Sequence, residues 1–153
     1  MTHENKLARF VEHGKEFQDA LAMVPEAYRG QSVDGGWSAA FVMHHMADGE
    51  AHFLSRYLHA LGDENPGIVP FDEEAYPDNV QYSKRKVKTS LAAFVGVRAM
   101  QLEILTNATD ADWKKTSNHP ERGVLTLEEL FEMADDHIVG HTNQLKEIAA
   151  KVN

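Results

Sequence analysis

The sequence predicts an all-α protein, an up-down four-helix bundle in which a long crossover loop joins the second and third helices. Four stretches, each of roughly 20 residues or more, repeat apolar residues at three- and four-residue steps, the period of a helix with one buried face. Cap and stop residues flank these stretches where helix ends are expected. A chain of 153 residues with four such helices is expected to close as one bundle domain, residues 1–153, long enough to bury a real core.

From Thr2 to about Val24, the residues Leu7, Phe10, Val11, Phe17, Leu21 and Val24 form the first apolar stripe. Thr2 is placed to cap it, and Pro25 and Gly30 mark its end. GQSVDGGWS, with three glycines, is a turn-rich loop. Ser38 caps the second helix, and Trp37 before it can pack on Val42 as a hydrophobic staple. This helix is expected to reach about Leu61, with Gly62 as its stop. Its stripe is Val42, Met43, Met46, Phe53, Leu54, Tyr57 and Leu61. On a helical wheel His45 lies on the flank, about 110° from the stripe's centre, and His44 nearly opposite at about 150°. His45 is the better inward candidate.

Asp63 to Tyr82 hold three of the five prolines, and an irregular connection of about 20 residues in a compact domain is usually functional or disordered. Interleaved Ile68, Val69, Phe71 and Tyr76 suggest that it packs down as a lid. Ser83 is expected to cap the third helix, which runs to about Asn107 on Val87, Leu91, Phe94, Val95, Leu102 and Leu105. Arg98 falls on that apolar side. Either its stem runs along the core with its head in water, or it faces a pocket and binds an anion or thiol cofactor. Ala108 to Leu125 form a second loop containing Trp113 and HPERG. Thr126 then opens the fourth helix with a capping box to Glu129 and a staple of Leu125 on Leu130, and the helix runs to about Val152.

Composition narrows the functional classes. Hydrophobic residues at 42% and charged residues at 25% are ordinary for a folded globular chain. A net charge of −9, without basic clusters interleaved with aromatics, argues against a nucleic-acid partner. No apolar run is long enough for a signal peptide or a membrane span, so no membrane partner is expected and the cytoplasm is the expected location. With no cysteine, any metal site must be built from His, Asp and Glu.

The chemistry concentrates in ADDHIVGHTNQL. His137 and His141, four residues apart, share one helix face with Leu127, Leu130, Met133, Ile138, Leu145, Ile148 and Val152. Imidazoles on an apolar face need partners for their ring nitrogens. Those partners are either protein carbonyls and carboxylates or a metal ion, and the pair alone leaves both readings open.

WSAAFVMHHMADGE at the start of the second helix, PFDEE in the long loop, and HPERGVLTLEELFEMADDHIVGHTNQL together resemble the DinB-like superfamily of metal-binding four-helix bundles, and within it the bacillithiol S-transferase type branch. The resemblance runs from Trp37 to Leu145. It implies a divalent metal, zinc or nickel with iron a further candidate, held by one histidine of the HHMAD segment and two of the last helix. By position these are His45, His137 and His141, with His44 the alternative to His45. It also implies a low-molecular-weight thiol as cosubstrate. Where relatives carry aromatic and extra basic residues around the last pair, this chain has Asp135, Asp136, Gly140 and Gln144, which leaves the thiol and the substrate unassigned.

Three neutral imidazoles leave a metal ion its full charge and an open position, the pattern of a catalytic site. The expected function is therefore a metal-dependent thiol S-transferase acting on a small-molecule substrate. The alternatives are a metal-dependent hydrolase that uses water and a non-catalytic metal-binding stress-response bundle, for which a homodimer through an exposed helix face is the expected form. Asp48 and Gln144, one turn beyond His45 and His141, are the candidates to orient the ligand rings. His3, His13, His44, His52, His59 and His119 read as surface or local-structure residues. His119 sits before Pro120 as a turn residue, or alternatively at the mouth of the site.

Overall fold

The computed structural model describes residues 1–153. Three of its four long helices start where a side-chain oxygen satisfies a free backbone N–H group. Thr2 Oγ1 accepts the Asn5 N–H at 3.2 Å and opens α1, His3–Ala22. Ser38 Oγ accepts the Phe41 N–H at 3.2 Å and opens α2, Ala39–Gly62. A single turn, α3, Tyr76–Asn79, interrupts the crossover loop, and α4 spans Val87–Thr106. The last helix, α5, Leu127–Val152, begins with the reciprocal box: Thr126 Oγ1 accepts the Glu129 N–H at 3.1 Å, and Glu129 Oε2 accepts the Thr126 N–H at 2.8 Å.

The start of α4 departs from expectation. Ser83 caps nothing and lies in a 3-10 turn, Tyr82–Lys84, with the helix beginning four residues later. The cause is a tether to α2. Tyr82 OH donates to Asp48 at 2.9 Å and Arg85 forks onto both Asp48 oxygens at 2.8 Å, so the chain is anchored before it can turn into the helix.

The four long helices form a bundle in which chain neighbours are not always packing neighbours. α1 and α2 each lie against both α4 and α5 and face one another across the diagonal. Two apolar clusters fill the interior, one around Phe17, Met43, Met46, Phe94 and Leu145, the other around Phe10, Tyr57, Trp113, Leu130 and Phe131. Every long helix passes from one cluster to the other through polar residues: His13 in α1, Asp48 and Glu50 in α2, Arg98 and Gln101 in α4, and Asp135, Asp136 and His137 in α5. Polar groups buried at that level must find partners, and the functional residues are drawn from it and from the turn beside it.

The expected loop between α4 and α5 contains a small antiparallel hairpin, β1, Thr116–His119, and β2, Gly123–Thr126. The crossover loop is laced to it: the Ile68 N–H donates to the Asn118 carbonyl and the Asn118 N–H to the Pro66 carbonyl, both at 2.8 Å. The two loops thus form one cover over the same end of α2 and α5. No helix is long and apolar enough to cross a membrane.

Candidate metal centre

His45, His137 and His141 come together, although His45 is 92 residues from His137. The Nε2 atoms of His45 and His137 lie 2.8 Å apart, and those of His137 and His141 lie 3.1 Å apart. The two α5 residues meet because a four-residue step stacks them. His45 reaches them because α2 packs on α5 along this stretch. Gly49, one turn after His45, removes the side chain that would stand between the helices: a Cβ there would lie 3.2 Å from His137 Cε1.

His141 Nδ1 pairs with Gln144 Oε1 at 2.8 Å. An amide oxygen only accepts, so this contact places the proton on Nδ1 and leaves His141 Nε2 as a bare lone pair aimed at the cluster. Gln144 therefore occupies the orienting position expected of it. Burial first, then the neighbouring His141 ring, pushes His45 down to about 3. Burial, then His141, His45 and Arg56, does the same to His137, also to about 3. Both rings are neutral at ordinary pH, the form that ligates metals.

The residues fit a divalent ion. Nitrogens that converge without enough protons to bridge them repel unless a cation lies among them. Around a tetrahedral zinc ion with Zn–N near 2.0–2.1 Å the nitrogens would stand about 3.3 Å apart, so the pairs at 2.8 and 3.1 Å would part by only about 0.2–0.5 Å to admit an ion. His45 Nδ1 is buried without a partner. Trp37, expected only as a staple, also stacks near His141 at 6.4 Å and lies 5.1 Å from the His45 ring, closing one side of the cluster.

On the other side a cavity of ≈ 420 Å³ opens beside His137. Phe53 and Arg56 of α2 line it, with Pro70, Phe71 and Glu73 of the crossover loop and His119, Glu121 and Arg122 of the hairpin. The Glu73 carboxylate reaches to 3.4 Å from His45 Nε2. Phe71 stacks on His52 at 4.1 Å, and His52 Nε2 is 3.1 Å from Tyr76 OH, which holds the loop down as a cover.

Three expectations are corrected. Asp48 does not orient His45, because Tyr82 and Arg85 take both its oxygens. His44 is neither at the surface nor in the cluster: it is buried between α2 and α4, with Nδ1 2.7 Å from Ser90 Oγ. Arg98 neither snorkels nor lines the cavity beside the histidines. It is buried, paired with Glu50 at 2.8 Å, donates to the Phe10 carbonyl at 2.6 Å and lies over the Phe10 ring, so its charge is already matched inside the bundle. His119 fills both suggested roles, lining the cavity while its Nδ1 accepts the N–H groups of Glu121 and Arg122. Sequence reasoning missed Glu73, Arg56 and Arg122. The PFDEE segment was the signal for Glu73 and the HPERG segment for Arg122, while nothing singled out Arg56.

A family model described as the DinB superfamily matches residues 9–145. A candidate metal-dependent hydrolase of Bacillus mycoides is 29% identical over 119 residues, 78% of this chain and 68% of that protein. YfiT of Bacillus subtilis, named in the same way, is 29% identical over 116 residues, 73% of this chain and 65% of its own length. The solved structure of YfiT, described as having an unusual four-helix bundle topology, superposes with a TM-score of 0.88 at 23% identity, over 98% of this chain and 87% of that one. A mycothiol-dependent maleylpyruvate isomerase shares the fold with a TM-score of 0.78 at 16% identity; 95% of this chain aligns, but only 61% of the isomerase. The family match, spanning nearly the whole bundle and all three clustered histidines, shows that this chain belongs to the DinB superfamily.

Proposed function

We propose that this protein is a divalent-metal-dependent enzyme that joins a low-molecular-weight thiol to an electrophilic small molecule. The observation that carries the reading is the convergence of the His45, His137 and His141 Nε2 atoms at the edge of a cavity of ≈ 420 Å³. A divalent ion held by these nitrogens supplies Lewis acidity and lowers the pKa of the nucleophile. The protein's own groups do the rest. Gln144 fixes the tautomer of His141. Glu73, beside His45, accepts the thiol proton as the new carbon–sulfur bond forms and the leaving group departs with its electron pair. The crossover loop, tethered through Asp48 and clasped by His52 on Phe71, limits water at the reacting end.

Use of a thiol rather than water is supported by the fold shared with a mycothiol-dependent isomerase. The names of the Bacillus relatives favour a second reading, hydrolysis, in which Glu73 takes a proton from water instead. Cofactor dependence separates the two. Metal-loaded protein is incubated with a chromogenic aryl halide or an aryl ester, with and without added thiol. Conjugate that forms only with thiol, and is lost in His45→Ala and His137→Ala, supports transfer. Turnover of the ester at the same rate without thiol overturns it in favour of hydrolysis, and no turnover of any substrate under either condition leaves a metal-binding bundle.

A further inference from the structure

Four of the six arginines have a carboxylate within ion-pair distance. Arg9 meets Glu132 and Asp135, Arg29 meets Glu26, Arg85 meets Asp48, and Arg98 meets Glu50. The guanidinium groups of Arg56 and Arg122 meet no carboxylate and no other acceptor. Both line the cavity beside His137, although one comes from α2 and the other from the hairpin turn. Glu121 and Asp136 share its wall without reaching ion-pair distance of either.

The cost of this arrangement falls on Arg56, because Arg122 is exposed to solvent. Arg56 is half-buried, and burial, followed in the same direction by the like charge of Arg122, opposes its own charge. A chain of net charge −9 does not lack carboxylates to pair with two arginines, so their being unmatched in one cavity asks for a partner that is not part of the chain. The Arg56 guanidinium is also held in place, 5.1 Å over the Phe53 ring, which reduces the freedom it must lose when its planar fork engages two oxygens.

We propose that Arg56 and Arg122 form an anion-binding subsite beside the histidine cluster, and that the small molecule this protein takes carries a carboxylate or phosphate group. The inference rests on the cavity being the substrate site of the proposed function. Forked N–H donors suit such groups because they can give two parallel charged hydrogen bonds. A ligand anchored there directs its other end toward His137 and Glu73, where the reaction is expected.

The test is calorimetric titration of succinate and, separately, inorganic phosphate into metal-free and metal-loaded protein. The variants are Arg56→Gln, Arg122→Gln and the double change, with Arg29→Gln as a control; metal content and thermal midpoint are measured on every preparation. The expected result is saturable binding of at least one anion to the metal-free wild type, weakened about tenfold or more in the double variant, with the control and the metal content unchanged. Binding of succinate alone assigns a carboxylate, and of phosphate alone a phosphate. No binding to the metal-free wild type, or binding that survives the double change, overturns the subsite. Metal without anion binding removes this inference alone; anion binding without metal removes the proposed function and leaves the subsite standing.

Discussion

Gly49 stands against the His137 ring so closely that a Cβ on it would lie 3.2 Å from Cε1. Alanine inside a helix is favoured over glycine by about 0.8–1.0 kcal/mol, so Gly49→Ala sets helix stability against ring position. The expected outcome is a metal-free protein with an equal or higher thermal midpoint and a metal affinity lowered by about 10–100-fold, as when groups that position ligands are disturbed. Equilibrium metal titration with a competing chelator reads the effect, and unchanged affinity would show that the ring moves freely.

The metal-free protein should be acid-sensitive in a defined window. Burial holds His44 at about 4 and His45 and His137 at about 3, all below the ordinary 6.5. Between pH 6.5 and about 4 the unfolded chain therefore binds more protons than the folded one. Stability is fully present above pH 6.5 and falls as pH falls, by about 1.4 kcal/mol per pH unit for each such proton. Denaturant unfolding of chelator-treated protein from pH 7.5 to 4.5 measures it, and His44→Asn should remove one proton from the dependence. A flat profile would contradict the burial of these rings as neutral groups.

Arg98 and Glu50 form a buried ion pair between α4 and α2. Arg98→Leu leaves the Glu50 carboxylate unmatched and should cost about 3–5 kcal/mol, with part of the loss recovered when Glu50→Met is added. Anion titration should be unaffected wherever the variant remains folded. A loss of anion affinity without a loss of stability would return Arg98 to the ligand-binding role that the structure denies it.

Glu73 is half exposed on the crossover loop, 3.4 Å from His45 Nε2. If it accepts the nucleophile's proton, Glu73→Gln lowers turnover by about 10²–10⁴-fold and keeps metal content. Metal lost together with activity would make Glu73 a ligand instead of a base.

Much of the fold was legible because its signals are local. Thr2, Ser38 and the Thr126–Glu129 box act within one turn, and the helical stripes repeat within a few residues. The histidine cluster could be anticipated from a four-residue step and an HHMAD resemblance. What could not be read depends on partners far along the chain. His44 looked outward on a wheel drawn for one buried stripe, but α2 lies against both α4 and α5 and buries more of its circumference. Asp48 and Arg98 are committed to partners 37 and 48 residues away. The strand Thr116–His119 is polar and short, and its backbone link to Ile68 leaves no trace in side-chain pattern.

The most direct test of the central claim is the metal content of untagged protein, measured by elemental analysis for the wild type and for the His137→Ala, His141→Ala double variant. The cluster predicts about one divalent ion per chain, lost in the variant while the helical fold remains. A wild type that binds no ion even after reconstitution would contradict the account, and the three histidines would then be core residues held by one another, by Gln144 and by Glu73.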